Sequence, residues 1–129
     1  MEVKPGTIIL ISREDLPGIE HNKFAFCVSD CLCFYFFLNS EPFRFAPEAQ
    51  VTVFGDMDLP GVLDHTSYIN TSQLLEFPAQ VAQKAITKGK VWAAPQTIID
   101  RVFESVKKSR YLTPLQKEFV LHHLTCGKP

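Results

Sequence analysis

Residues 23–39 constrain the fold more than any other part of the chain. Two runs rich in aromatic and apolar residues, 23–29 and 32–39, follow one another with Asp30 and Cys31 between them. Spacing this short between strand-like runs is a hairpin signal, although Asp-Cys is not a favoured turn pair. The runs are nearly continuous in apolar residues instead of alternating, so the hairpin is expected to be covered on both faces. Such a hairpin fits the middle of a small closed or half-closed barrel. Eleven phenylalanines, clustered early in 129 residues, favour strands over a helical bundle.

The flanking sequence supplies further strands. Gly6-Thr7-Ile8-Ile9-Leu10-Ile11 reads as a first strand entered through a Pro5-Gly6 turn. Residues 12–22 are polar, carry Pro17-Gly18 and form a loop. Glu41-Pro42 breaks the chain after the hairpin. Val51 and Val53 alternate with Thr52 and Phe54 in a fourth strand, and residues 67–71 make a short fifth one. Between these two, residues 55–64 read as an acidic loop, and 73–77 lead away from the barrel. The period then changes. Ile98, Ile99, Val102, Phe103 and Val106 share one face of a helix over 96–108, with Pro95 suited to its first turn. Thr113-Pro114-Leu115-Gln116 opens a last helix with a capping-box pattern, and Gly127 suits its end. Residues 79–87 read as a short helical turn. Five short strands followed by two helices predict one α+β domain over 1–129, with an antiparallel β-barrel over 1–78 and a helical extension over 79–129.

Composition narrows the setting. A content of 46% hydrophobic residues is enough for a real core without disulfides or metals. No stretch approaches the roughly 20 apolar residues that span a bilayer, and Arg13 closes the first apolar run too early for a signal peptide. The expected setting is cytoplasmic, with no membrane contact. Cys27, Cys31 and Cys33 lie in strand-like sequence, and CxxC pairs are missing. They read as buried free thiols before they read as a zinc site, and no cofactor is implied. Net charge is −1, but residues 1–83 hold four Lys/Arg against eleven Asp/Glu (−7) and residues 84–129 hold nine against three (+6). That asymmetry fits a basic surface for an anionic partner, and equally two halves that attract each other.

Phosphate loops, dinucleotide fingerprints, HExxH and GxSxG motifs are absent from the sequence. Candidate chemistry sits instead at strand ends. His21-Asn22-Lys23 enters the second strand: Lys23 can hold negative charge and His21 can move a proton, or both are simply a solvated strand start. Asn39-Ser40-Glu41 ends the third strand and offers either phosphate contacts or an ordinary turn. Asp64-His65-Thr66-Ser67-Tyr68 is the densest run with acid–base potential, His65 and Tyr68 being its functional candidates. Strand alternation would put Asp64, Thr66 and Tyr68 on one face and His65 and Ser67 on the other. Lys107-Lys108-Ser109-Arg110 is either a phosphate-contact patch or a solvated link. His122-His123 diverge on the last helix, which fits packing or surface exposure and not a shared metal.

In order, these pieces resemble the bacterial PemK/MazF toxin family over roughly residues 4–75. Lys4-Pro5-Gly6-Thr7-Ile8-Ile9-Leu10 is similar to the family's PGDI-hydrophobic opening. Lys23-Phe24-Ala25-Phe26-Cys27-Val28-Ser29 is similar to its RPALVLS second strand, and the hairpin partner ends in Asn39-Ser40 where the family has a polar Thr or Ser. The resemblance implies an SH3-like barrel, a homodimer, an antitoxin-like protein partner and metal-independent endoribonuclease activity on single-stranded RNA. It places Lys23 where the family has its catalytic Arg, and Ser40 or Asn39 near the catalytic Thr or Ser. His21 or His65 would then serve as base, and Asn39, Tyr68, Lys107, Lys108 and Arg110 would contact RNA. The family's Arg-Pro pair is absent, and Lys lacks the bidentate fork of Arg. The alternative that the same resemblance leaves is a non-catalytic barrel that binds a protein or RNA partner in a toxin–antitoxin or defence-type system.

Overall fold

The computed structural model describes residues 2–29 and 33–126. The chain is α+β, with an antiparallel sheet curled into a half-barrel. Its central strands are those the sequence marks most strongly: β1 (Thr7–Ile11), β2 (Lys23–Ser29) and β3 (Phe34–Asn39). Strands β4 (Gln50–Val53) and β5 (Ser67–Asn70) extend the sheet beyond β3. Two further strands, β6 (Leu75–Glu76) and β7 (Val91–Ala93), correct the expected five to seven among the described residues. The order is β4-β5-β3-β2-β1-β7, and β6 pairs with the first half of β3 while β5 pairs with its second half. Residues 73–77 therefore do not leave the sheet, as the sequence predicts, but return along the same edge of β3.

The hairpin connection also differs from the two-residue turn. β2 ends at Ser29 and β3 starts at Phe34, so residues 30–33 separate them. Asp30, Cys31 and Leu32 lie outside the described residues. Cys33 has a φ of 60°, in the left-handed region, so it is part of the connection and not of the strand.

Both faces of β1 to β3 are buried, as continuous apolar runs require, whereas β4 and β5 alternate. One face carries Ile8, Phe26, Val28, Phe36, Leu38, Val51, Val53 and Ile69. It packs against Ile98, Val102 and Val106 of α3 (Gln96–Lys107) and against Val120 and Leu124 of α4 (Pro114–Cys126). The other face carries Ile9, Ile11, Ala25, Cys27 and Tyr35, and α2 (Ala79–Thr87) covers it with Val81 and Ala85. Residues 79–87, read as a short helical turn, thus form a nine-residue helix. Gly89, at φ 68°, ends it with the left-handed residue that suits a helix C-terminus. Cys27 is buried and Cys33 half-buried. No helix is long and apolar enough to cross a membrane among the described residues.

Helix α3 packs on the first of these faces. At one sheet edge, the Arg101 guanidinium donates to the Thr52 carbonyl at 3.2 Å, and the Ser105 hydroxyl donates to the Glu48 carbonyl at 2.9 Å. At the other edge, the Ala94 N–H reaches the Gly6 carbonyl at 2.9 Å. The capping box holds as read: the Thr113 hydroxyl accepts from the Gln116 N–H at 3.1 Å, and the Gln116 side chain accepts from the Thr113 N–H at 3.0 Å. Gly127 lies outside the described residues. In the acidic loop, residues Gly55–Asp58 form a single helical turn, α1. A Cβ on Gly55 would stand 2.8 Å from the His65 carbonyl oxygen, so only glycine lets the two backbones approach there.

Candidate functional site

Because β2 and β3 are antiparallel, the start of one and the end of the other meet at the same rim of the sheet. There, an open groove of about 770 Å³ is lined by His21, Asn22 and Lys23 from β2 and its approach, by Asn39 at the end of β3 with Ser40 and Phe43 after it, and by His65 before β5. The four residues predicted to act in catalysis, His21, Lys23, Ser40 and His65, therefore line one groove. Asn39 lines it too.

Lys23 is held in place from two sides. Its ammonium donates to the Asn39 side-chain oxygen at 3.1 Å and lies 4.8 Å from the centroid of the Phe37 ring. Asn39 uses one of the three ammonium hydrogens, which leaves two for another acceptor. His21 and Ser40 are exposed.

His65 has a different support. Its Nδ1 lies 2.6 Å from Oδ1 of Asp64. That contact corrects the alternation expected for residues 64–68. The strand begins at Ser67, so Asp64 and His65 occupy a bend in which adjacent side chains can converge. The hydrogen bond from His65 holds the Asp64 carboxyl below its ordinary value, with help from the backbone and from the charge that His65 carries when protonated. An Nδ1–H donated to Asp64 leaves Nε2 as the nitrogen free to accept a proton. Tyr68 faces Asn39 across the β3–β5 pairing, half-buried, and is not among the groove's lining residues.

Lys107, Lys108 and Arg110 do not line the groove either; they are exposed at and after the end of α3. The helix they follow is tied to the strand end beside one of its walls. Ser105, one turn before Lys108, shares a 2.7 Å hydrogen bond with Thr71, and Thr71 sits between the lining residues Asn70 and Ser72. On α4, the His123 ring packs 4.4 Å from that of Phe119, centroid to centroid, while His122 is exposed. Among the described residues, no three His, Cys, Asp or Glu side chains gather in a metal-binding arrangement.

Several lining residues carry no motif in the sequence. Asn70, Ser72 and Gln73 reach the groove because β5 pairs with β3, and Phe43 reaches it because the Gln50 side chain accepts its backbone N–H at 2.7 Å. One local signal exists: Asn70 accepts from the Ser72 N–H at 3.0 Å, the two-residue reach of an Asx turn. Compared with models of known protein families, with curated proteins and with solved structures, the chain matches none.

Proposed function

We propose that the chain is a toxin-like endoribonuclease that cleaves single-stranded RNA in this groove without a metal. One observation carries the reading: His21, Lys23, Ser40 and His65, drawn from three separate segments of the chain, line the same groove. Cleavage would begin with attack of a ribose 2′-oxygen on the adjacent phosphorus. An imidazole takes the 2′-hydroxyl proton, and the bond to the 5′-oxygen breaks to leave a 2′,3′-cyclic phosphate. The second histidine returns a proton to the departing 5′-oxygen. Lys23 meets the charge that builds on the non-bridging oxygens, and the Ser40 hydroxyl donates to one of them. His65, oriented by Asp64, is the better placed of the two bases.

The same reading makes the half-barrel an SH3-like one of PemK/MazF type, with β1 to β5 as its five strands. The strand order along the chain and the long loop between β1 and β2 support it. β6, β7 and the helices are then additions that close the open side.

Purified wild type, Lys23→Ala and His65→Ala are to be incubated with single-stranded RNA in EDTA and the products resolved on a denaturing gel. Wild type is expected to cleave, and each substitution to slow cleavage by about 10²-fold or more. Intact RNA in all three lanes would replace this reading with that of a non-catalytic binding barrel.

A further inference from the structure

Three asparagines line the groove, and each is oriented by a donor. The Asn22 side-chain oxygen accepts from the Arg13 N–H at 3.0 Å, and that of Asn39 accepts from the Lys23 ammonium at 3.1 Å. The Asn70 oxygen accepts from the N–H and the hydroxyl of Ser72 at 3.0 and 2.5 Å. An ammonium and a backbone N–H cannot accept, so in each amide the oxygen must face its partner and the NH2 must point elsewhere. None of these three NH2 groups bonds another described residue. The groove thus presents amide donors beside the Lys23 ammonium, against Glu41 as the carboxylate of its lining.

An aromatic ring stands in the same groove. Phe43 lines it and remains 43% exposed. The Gln50 side chain that holds its backbone belongs to the residue directly opposite Asn70 in the β4–β5 register. Cross-strand partners lie about 5 Å apart, so one strand pair anchors the Phe43 backbone through Gln50 and carries Asn70, and both residues line the same groove. A ring face with hydrogen-bond donors at its edge is the chemistry that receives an unpaired nucleobase.

We infer that Phe43 and the Asn70 amide form a base-reading subsite that selects a base with two acceptors on its edge. Uracil offers O2 and O4 to such donors on either side of its N3–H, which needs an acceptor of its own. Adenine places an amino donor beside N1 and meets the NH2 groups with its own. The inference rests on the reading of the groove as an RNA site. Stacking alone would give the opposite order, because adenine offers the larger π-face to Phe43.

The test is fluorescence anisotropy with labelled 2′-O-methyl oligouridine and oligoadenosine of equal length. Neither has a 2′-hydroxyl, so binding is read without cleavage. Wild type is expected to bind the uridine oligomer about tenfold more tightly or better. Asn70→Asp keeps an oxygen for Ser72 and turns the outward donor into a carboxylate oxygen; it is expected to abolish the preference. Phe43→Leu is expected to weaken both oligomers alike. Equal or tighter binding of oligoadenosine, a preference that survives Asn70→Asp, or no binding of either oligomer would overturn the subsite. Cleavage of unmodified RNA without a uridine preference sinks the subsite alone. A uridine preference without cleavage sinks only the nuclease reading.

Discussion

Asp64 and His65 are neighbours in sequence and partners in space, and their contact is titratable. The Asp64 carboxyl is lowered chiefly by the hydrogen bond from His65. A carboxyl whose folded pKa is depressed contributes its stabilisation above the ordinary carboxylate range and loses it as pH falls through the lowered folded value. A carbon-detected NMR titration is expected to place the Asp64 midpoint below that of an unpaired aspartate, and His65→Ala to return it upward. An Asp64 midpoint that His65→Ala leaves in place would mean that the side chains do not meet in solution. Much of this residue-scale picture was legible in sequence. His21, Lys23, Asn39, Ser40 and His65 stand out as polar residues at the ends of apolar runs, and antiparallel pairing brings such ends together. Asn70, Ser72 and Phe43 were not legible, because what carries them to the groove is the register of β3, β4 and β5, which no local pattern encodes.

At the scale of elements, local signals located those parts that local physics stabilises. The cap of α4 is one: Thr113 and Gln116 satisfy each other's backbone N–H groups, and the sequence spacing already says so. Thr113→Ala removes one half of that exchange and is expected to cost about 1 kcal/mol, read as a lower urea midpoint with an unchanged slope. An unmoved midpoint would show that packing on α3 and the sheet, and not the cap, sets the start of α4. The elements missed are those that neighbours stabilise. β6 and β7 have two and three residues, too few for any period, and each exists by pairing with β3 or β1. In α2, read as no more than a short helical turn, the buried positions are Val81 and Ala85, a stripe too weakly apolar to announce the full helix. Its stability comes from Ile9, Ile11 and Tyr35 beneath it.

At the scale of the molecule, part of the split between an acidic first part and a basic second part is taken up by ion pairs across it. Lys88 bonds Glu14 at 3.2 Å and Asp15 at 2.7 Å, and Arg101 lies 3.9 Å from Asp58. The Asp15 contact is the main cause that raises the Lys88 pKa, and a backbone hydrogen bond, with Lys88 second, lowers that of Glu14. These contacts tie the two parts together. Lys107, Lys108 and Arg110 form no ion pair with another described residue, so their charge is directed outward. The Ser105–Thr71 hydrogen bond sets that end of α3 against the Asn70–Ser72 wall of the groove. On the proposed reading, these three cations would contact the phosphates of an RNA strand that leaves the groove past this wall. Each phosphate contact on a single strand contributes roughly 0.7 to the slope of log affinity against log salt. Replacing all three by alanine is therefore expected to make that slope shallower by about 2, with the uridine preference unchanged, since phosphate contacts carry no base information. Anisotropy titrations at a series of salt concentrations measure both quantities at once. An unchanged slope would assign these cations to a solvated face, and RNA binding would then rest on Lys23 and the amide wall alone.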